Sequence, residues 1–198
     1  MNSKNIQILI NISIIILEII GFILVIQDYG IYNLEYYTED SNFLLLLSSI
    51  FILIYLTKNK ELPSWLKSFR FIAVVSTTLT FVIVLTVLSW ASDMGLYTLL
   101  FYRGLFYHHT ICPILAIISF SFIEKYDGLK TVQGTYFTLF YALILIPLNI
   151  LKIVNGPYPF LRVYEQPFLQ SIFWIVIIFA IVYLIALILK KVNGKVII

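Results

Sequence analysis

Cysteine is nearly absent. The single residue, Cys112, excludes an intramolecular disulfide and any paired-thiol metal or redox motif. Charge is scarce as well: Asp, Glu, Lys and Arg make up 12% of the 198 residues, while apolar residues reach 61% and mean hydropathy is +1.00. Soluble chains carry about 25% charged residues, so this balance excludes an ordinary soluble domain. No Lys/Arg-rich run interleaved with aromatics is present, and nucleic acid is not an expected partner. No small-x-small cleavage site follows the first apolar run, which is long and carries Glu18, so it reads as a retained helix rather than a signal peptide. Nor do the two halves of the chain repeat one another, as the halves of many transporters do.

What is present is six apolar stretches separated by short polar loops. They run about 6–26, 41–56, 71–90, 105–123, 135–154 and 168–189, each near the ~20 residues a helix needs to cross a bilayer. The expectation is an all-α, single-domain bundle of six transmembrane helices over residues 1–198, an integral multi-pass membrane protein. Loops alternate sides. One side, with both termini, holds Lys4, Lys58, Lys60, Lys67, Arg70, Lys125, Lys130, Lys190, Lys191 and Lys195; the other holds only Arg103, Lys152 and Arg162. Cytoplasmic loops carry the excess of Lys and Arg, so both termini are expected in the cytoplasm.

The polar residues that a membrane disfavours gather on the other side. Tyr36 to Asn42 opens the second stretch, Arg103 to Thr110 opens the fourth, and Gly156 to Arg162 lies between the fifth and sixth. Thr38 and Asn42 are four apart and share a helical face, with Ser41 beside them. His109 stands four before Pro113, which removes the helical bond to the His109 carbonyl and bends the helix. A histidine can serve as a base near neutral pH, and a threonine hydroxyl needs such a base to become a nucleophile. Thr38 and His109 are therefore a candidate catalytic pair. Asn42, Arg103, His108 and Tyr158 are candidates for pocket or oxyanion support.

Structural roles compete with each of these. Thr38, Asp40 or Ser41 could cap the second helix. Of two adjacent histidines one is expected to be structural, since neighbours on a helix point about 100° apart. The same geometry prevents His108 and His109 from chelating from one face, so no metal site is expected. Glu18, deep in the first stretch, is either functional or a glutamic acid bonded to a neighbouring helix. Asn149 and Lys152 stand near the outer end of the fifth, where Lys152 is expected to snorkel or to pair with an acid. Cys112, four after His108, could pair with it but is expected to be an inert buried thiol.

Tyr37-Thr38-x-Asp40-Ser41-Asn42, His109-Thr110 with Pro113, and Tyr158-Pro159-Phe160-Leu161 come in an order and topology that resemble the androgen-induced protein and androgen-dependent TFPI-regulating protein family, with its bacterial six-helix membrane relatives. The resemblance covers the whole chain in topology and about a dozen residues in motif. Animal members hydrolyse fatty acid esters of hydroxy fatty acids with one threonine and one histidine. The matching residues here are Thr38 and His109; the animal spacing has one residue more before the proline, which would match His108 instead. The resemblance implies a membrane-embedded lipid ester hydrolase that needs no cofactor, with a lipid ester as its partner, in the plasma membrane of a bacterium. The alternative class is a small transporter or a lipid- or ligand-binding membrane protein, for which Glu18, Asn149 and Lys152 would line a path.

Overall fold

A computed structural model gives the structure of the chain and describes residues 3–195. Six helices are long and apolar enough to cross a membrane: α1 (Ser3–Tyr29), α2 (Tyr37–Thr57), α3 (Ser64–Ala91), α4 (Arg103–Phe122), α5 (Thr131–Ile150) and α6 (Phe168–Val192). No strand occurs among the described residues. Helices are the form that satisfies every backbone donor and acceptor inside the segment where no water is present. The chain is thus an all-α, multi-pass integral membrane protein. Three short helices lie at the side opposite the termini, Ile31–Glu35, Leu96–Phe101 and Pro159–Leu161. That side is called the far side below.

α1 shows the inverted polarity that lipid imposes. Leu9, Ile12, Ile16, Ile19, Ile23 and Ile26 follow one another at three- and four-residue steps and face outward. The opposite face buries Asn11, Ile14, Glu18, Gly21 and Val25. Polar and small residues turn inward because only the protein interior can bond them or let backbones approach. Helix α3 is the centre of the bundle: 72% of its most apolar stretch is buried, against 17% for α5 and for α6. It packs on α2, α4, α5 and α6, while α1 packs on α2 and α4. Along α3, Ser76, Thr77, Thr78 and Thr80 return their hydroxyls to carbonyls one turn back, so a polar sequence is carried through the core without orphaned groups.

Two close contacts set the geometry on which the far side depends. At Gly104 an added Cβ would lie 2.6 Å from a Val25 methyl and 2.7 Å from its amide nitrogen, so α1 and α4 touch there backbone to backbone. At Gly134 an added Cβ would lie 2.6 Å from Ala186 Cβ, which pins α5 to α6 near their terminal-side ends. Both are small-residue contacts of the kind that lets membrane helices meet.

The helices depart from the sequence boundaries in two instructive places. α2 begins at Tyr37 rather than near residue 41, because its polar first turn faces the protein and not water. α5 ends at Ile150, short of 154, and the chain turns at Lys152, whose φ is +56°. Lys152 neither reaches an acid nor lies along the helix; its ammonium sits 4.8 Å above the Tyr164 ring. A second correction concerns Arg70. Read as a loop cation, it is fully buried and paired with Glu124 at 2.8 Å, with Ser48 and Ser49 taking its remaining bonds and Ser119 donating to the carboxylate. Burial against this pair also pushes the Tyr126 phenol well above its ordinary range.

Candidate functional site

The site lies at the far side, where α2, α4 and the loop between α5 and α6 meet. Tyr36, in extended conformation, precedes α2 and offers no side-chain cap, so Thr38 is not a cap: it stands in the first turn, buried. Its carbonyl is held from within the helix. Ser41 Oγ and Asn42 Nδ2 both donate to the Thr38 carbonyl at 2.9 and 2.8 Å, and Asn42 Nδ2 also donates to the His108 carbonyl at 3.1 Å. Asn42 thereby ties α2 to α4 and does not line the cavity described below.

The Thr38 side chain meets Tyr158. The tyrosine hydroxyl accepts the Thr38 N–H at 3.2 Å and lies 3.3 Å from Thr38 Oγ1. Tyr158 is held by Tyr36 edge-on at 5.5 Å and by Phe160 stacked at 5.3 Å. Burial raises its phenol above the ordinary range, so it is a neutral hydroxyl, able to give a proton to a hydrogen bond but not an anion. The loop that carries it is itself folded inward: at Gly156 an added Cβ would lie 2.5 Å from the Leu161 carbonyl oxygen. Asn149 fastens the loop from below, donating to the Val154 carbonyl at 3.1 Å and accepting from the Val163 N–H at 3.2 Å. These two bonds hold the loop onto the end of α5.

The two histidines take different places, and the reason is a local change of helix. Tyr107–Ile111 is a π turn, with the Cys112 N–H donating to the Tyr107 carbonyl five residues back. Both imidazoles end up buried. His109 Nδ1 is 2.8 Å from the Leu99 carbonyl, on the short helix Leu96–Phe101. A carbonyl only accepts, so Nδ1 carries the hydrogen, and the neutral ring keeps its lone pair on Nε2. His108 turns toward α1 and α2. Its Nδ1 lies 2.7 Å from Glu39 Oε2, its Nε2 lies 3.3 Å from Glu18 Oε2, and Phe22 packs on the ring at 4.5 Å. The Glu18 contact is an ion-pair distance without hydrogen-bond alignment, and both Glu18 oxygens lack a hydrogen-bond partner. Gly21 makes the space, since a Cβ there would lie 2.4 Å from His108 Nε2.

Thr38, Glu39, His109, Tyr158 and Arg162 line one cavity of about 580 Å³. That volume falls within the range of small-molecule sites. Leu88 and Ala91 close it from the end of α3, where Val84–Leu88 forms a second π turn. π turns are rare and recur at functional sites. A narrower apolar slot adjoins it and shares Thr38, Leu88 and Tyr158. Among the described residues no hydrogen bond joins Thr38 to His109; the threonine hydroxyl is engaged by Tyr158.

The remaining candidates lie elsewhere. Arg103 is outside the cavity, at the entrance of α4 with φ +34°, and its guanidinium pairs with Asp28 at 3.0 Å. Its pull is toward α1, so it supplies no donor to Thr38. His108 and Glu18 lie behind the cavity wall. Cys112 is buried and reduced beside Glu18. No group of three His, Cys, Asp or Glu among the described residues is arranged to hold a metal ion. Sequence reasoning passed over Glu39 and Leu99. Glu39 looks like an acid placed to favour a helix N-terminus, and a carbonyl leaves no mark in a sequence at all.

Comparison with known proteins identifies no relative: no family model, no curated protein and no solved structure matches the chain.

Proposed function

We propose that the chain is a membrane-embedded lipid ester hydrolase, with Thr38 as nucleophile and His109 as base and then acid. The observation that carries this reading is the shared cavity, in which a buried threonine, a histidine with one nitrogen already committed to a carbonyl, and a neutral tyrosine hydroxyl converge. A nucleophile, a base and a group orienting the base are the parts such chemistry needs. The ten-to-three split of basic residues supports cytoplasmic termini, and with them an outward-facing cavity. A bacterial plasma membrane fits the motif resemblance.

In the reaction, Thr38 Oγ attacks the acyl carbon as His109 Nε2 takes its proton. The charge that develops on the carbonyl oxygen is met by the Tyr158 hydroxyl, which lies beside Thr38 Oγ1. The alcohol leaves with the proton from His109, and the acyl group stays on Thr38 as an ester. Water, giving a proton to His109, attacks this ester; the acid departs and the proton returns to Thr38. The Thr38 hydroxyl must turn from Tyr158 to His109 before the first step, since catalytic bonds often tighten only when substrate is bound.

The test is turnover of a panel of acyl esters by the purified protein. Loss by at least ~10³-fold in Thr38→Ala and in His109→Ala, with His108→Ala folded yet less impaired, is the expected pattern. Equal turnover in wild type and Thr38→Ala would remove the hydrolase reading. A second reading, transport or binding of a small ligand, is favoured by one feature, the fully buried Glu18 carboxyl group deep in α1. It requires function to depend on Glu18 and not on Thr38.

A further inference from the structure

The apolar slot beside the cavity has a shape and a chemistry of its own. α5 and α6 are pinned together at Gly134 and Ala186, but farther along they scarcely touch each other, and each leans on α3 instead. The gap between them is the slot. Leu79, Ile83 and Val84 of α3 form its floor, Ala142 and Leu145 of α5 one wall, and Ile178 of α6 the other. It follows α3 from Leu79 to Leu88, a length of ~14 Å at 1.5 Å per residue.

Its few polar groups are already satisfied. Tyr37 Oη and Thr138 Oγ1 bond each other at 2.8 Å, Tyr141 Oη donates to the Glu35 carbonyl at 2.8 Å, and Thr80 Oγ1 lies 3.1 Å from Ser41 Oγ. A polar occupant would find no partner in the slot and would lose its own hydration. The exceptions are Thr38 and Tyr158, which stand on the wall shared with the polar cavity. On its outer side the slot lies between helices whose other faces, Leu143 of α5 and Val176 of α6, are exposed as lipid-facing residues must be.

We infer that the slot between α5 and α6 is an acyl-chain site, which takes one hydrocarbon chain of a membrane lipid from the bilayer and lays its ester end at Thr38. The polar cavity then receives the rest of the molecule. The substrate class this implies is an amphiphilic ester presented from the side, with a single chain in the protein and a polar remainder of cavity size. The inference deepens the hydrolase reading and rests on it for the role of Thr38, while occupancy of the slot is independent of turnover.

Photolabelling separates the two. The full chain carrying Thr38→Ala, reconstituted in phosphatidylcholine vesicles, is irradiated with a monoacylglycerol bearing a diazirine midway along its chain, and adducts are mapped by mass spectrometry. The expected result is adducts concentrated on 141–146 and 175–179. Excess unlabelled monoacylglycerol should reduce them at least fivefold, and so should Ala142→Phe, with Leu143→Phe on the lipid face as the control that leaves them unchanged. Competition needs no slot variant, so it reads occupancy even where Ala142→Phe fails to fold. Adducts spread as densely over the lipid face of α1 as over α5 and α6, or insensitive to the competitor, would overturn the site. Slot adducts in a protein without esterase activity would keep the site and remove the hydrolase; Thr38-dependent turnover without slot adducts would do the reverse.

Discussion

Tyr158 and His108 are two aromatic side chains of the far side with different surroundings. Tyr158 touches Thr38 and stays neutral because it is buried. Tyr158→Phe keeps the ring and its stacking on Phe160 and removes only the hydroxyl. The account expects kcat on an acyl ester to fall roughly 10²-fold with KM little changed, as for loss of an oxyanion donor; a change confined to KM would place Tyr158 in binding alone. His108, in contrast, fills the space that Gly21 leaves between Glu18 and Glu39. Glu18 stood out in the sequence because one acid in an apolar run is conspicuous. His108 was a candidate too, but its contact with Glu18 was hidden, since packing of α1 against α4 is written in no spacing along either. The same holds for Arg70 and Glu124, each of which looks like a solvated loop charge until the other is brought against it. Arg70→Met should destabilise the fold by ~3–5 kcal/mol by leaving a buried carboxylate alone, while the double change with Glu124→Leu should recover much of that. Thermal unfolding in detergent of the two variants checks it, and equal losses would contradict the pairing.

At the scale of the helix, six apolar stretches were legible because lipid demands length and hydrophobicity and little else. The ends were less so. The start of α2 was hidden by its inward-facing polar turn, and the end of α5 by apolar residues that continue past Ile150 into the turn at Lys152. The π turn over Tyr107–Ile111 was also hidden. Pro113 marks a disturbance in α4, but the sequence does not say that it takes the form of a wider turn, and that turn is what buries both histidines. Helix contacts through glycine carry a prediction of their own. Gly104→Ala places a methyl against the Val25 backbone, which cannot yield as a flexible side chain can. A loss of ~1–3 kcal/mol is expected from such overpacking. Gly95→Ala, where a Cβ meets nothing within 4 Å, tests the same change without overpacking and should lower the melting temperature less than Gly104→Ala, losing only the N-cap preference of glycine before Leu96–Phe101.

Across the whole molecule, the bundle is asymmetric. α2 and α4 flank α3 on one side, with α1 packed on both, and these three carry Glu18, Glu39 and the two imidazoles; α5 and α6 are spread on the other and present an apolar slot to lipid. The far-side cavity lies where the two parts meet, with Thr38 and Tyr158 on the boundary. That sidedness was foreshadowed by the clustering of polar residues at the starts of α2 and α4 and in the last loop. Which of them converge depends on how the helices are ordered around α3, and this excluded Arg103 and Asn42 from the cavity while admitting Glu39 and Arg162. The central claim is that Thr38 is an activated nucleophile. Its most direct test is to treat the detergent-solubilised protein with a fluorophosphonate and map the adduct by peptide mass spectrometry. The account predicts one adduct, on the peptide bearing Thr38, absent from folded Thr38→Ala and at least tenfold weaker in folded His109→Ala. A stable, well-folded wild type that takes up no label at Thr38 and turns over no ester would contradict it.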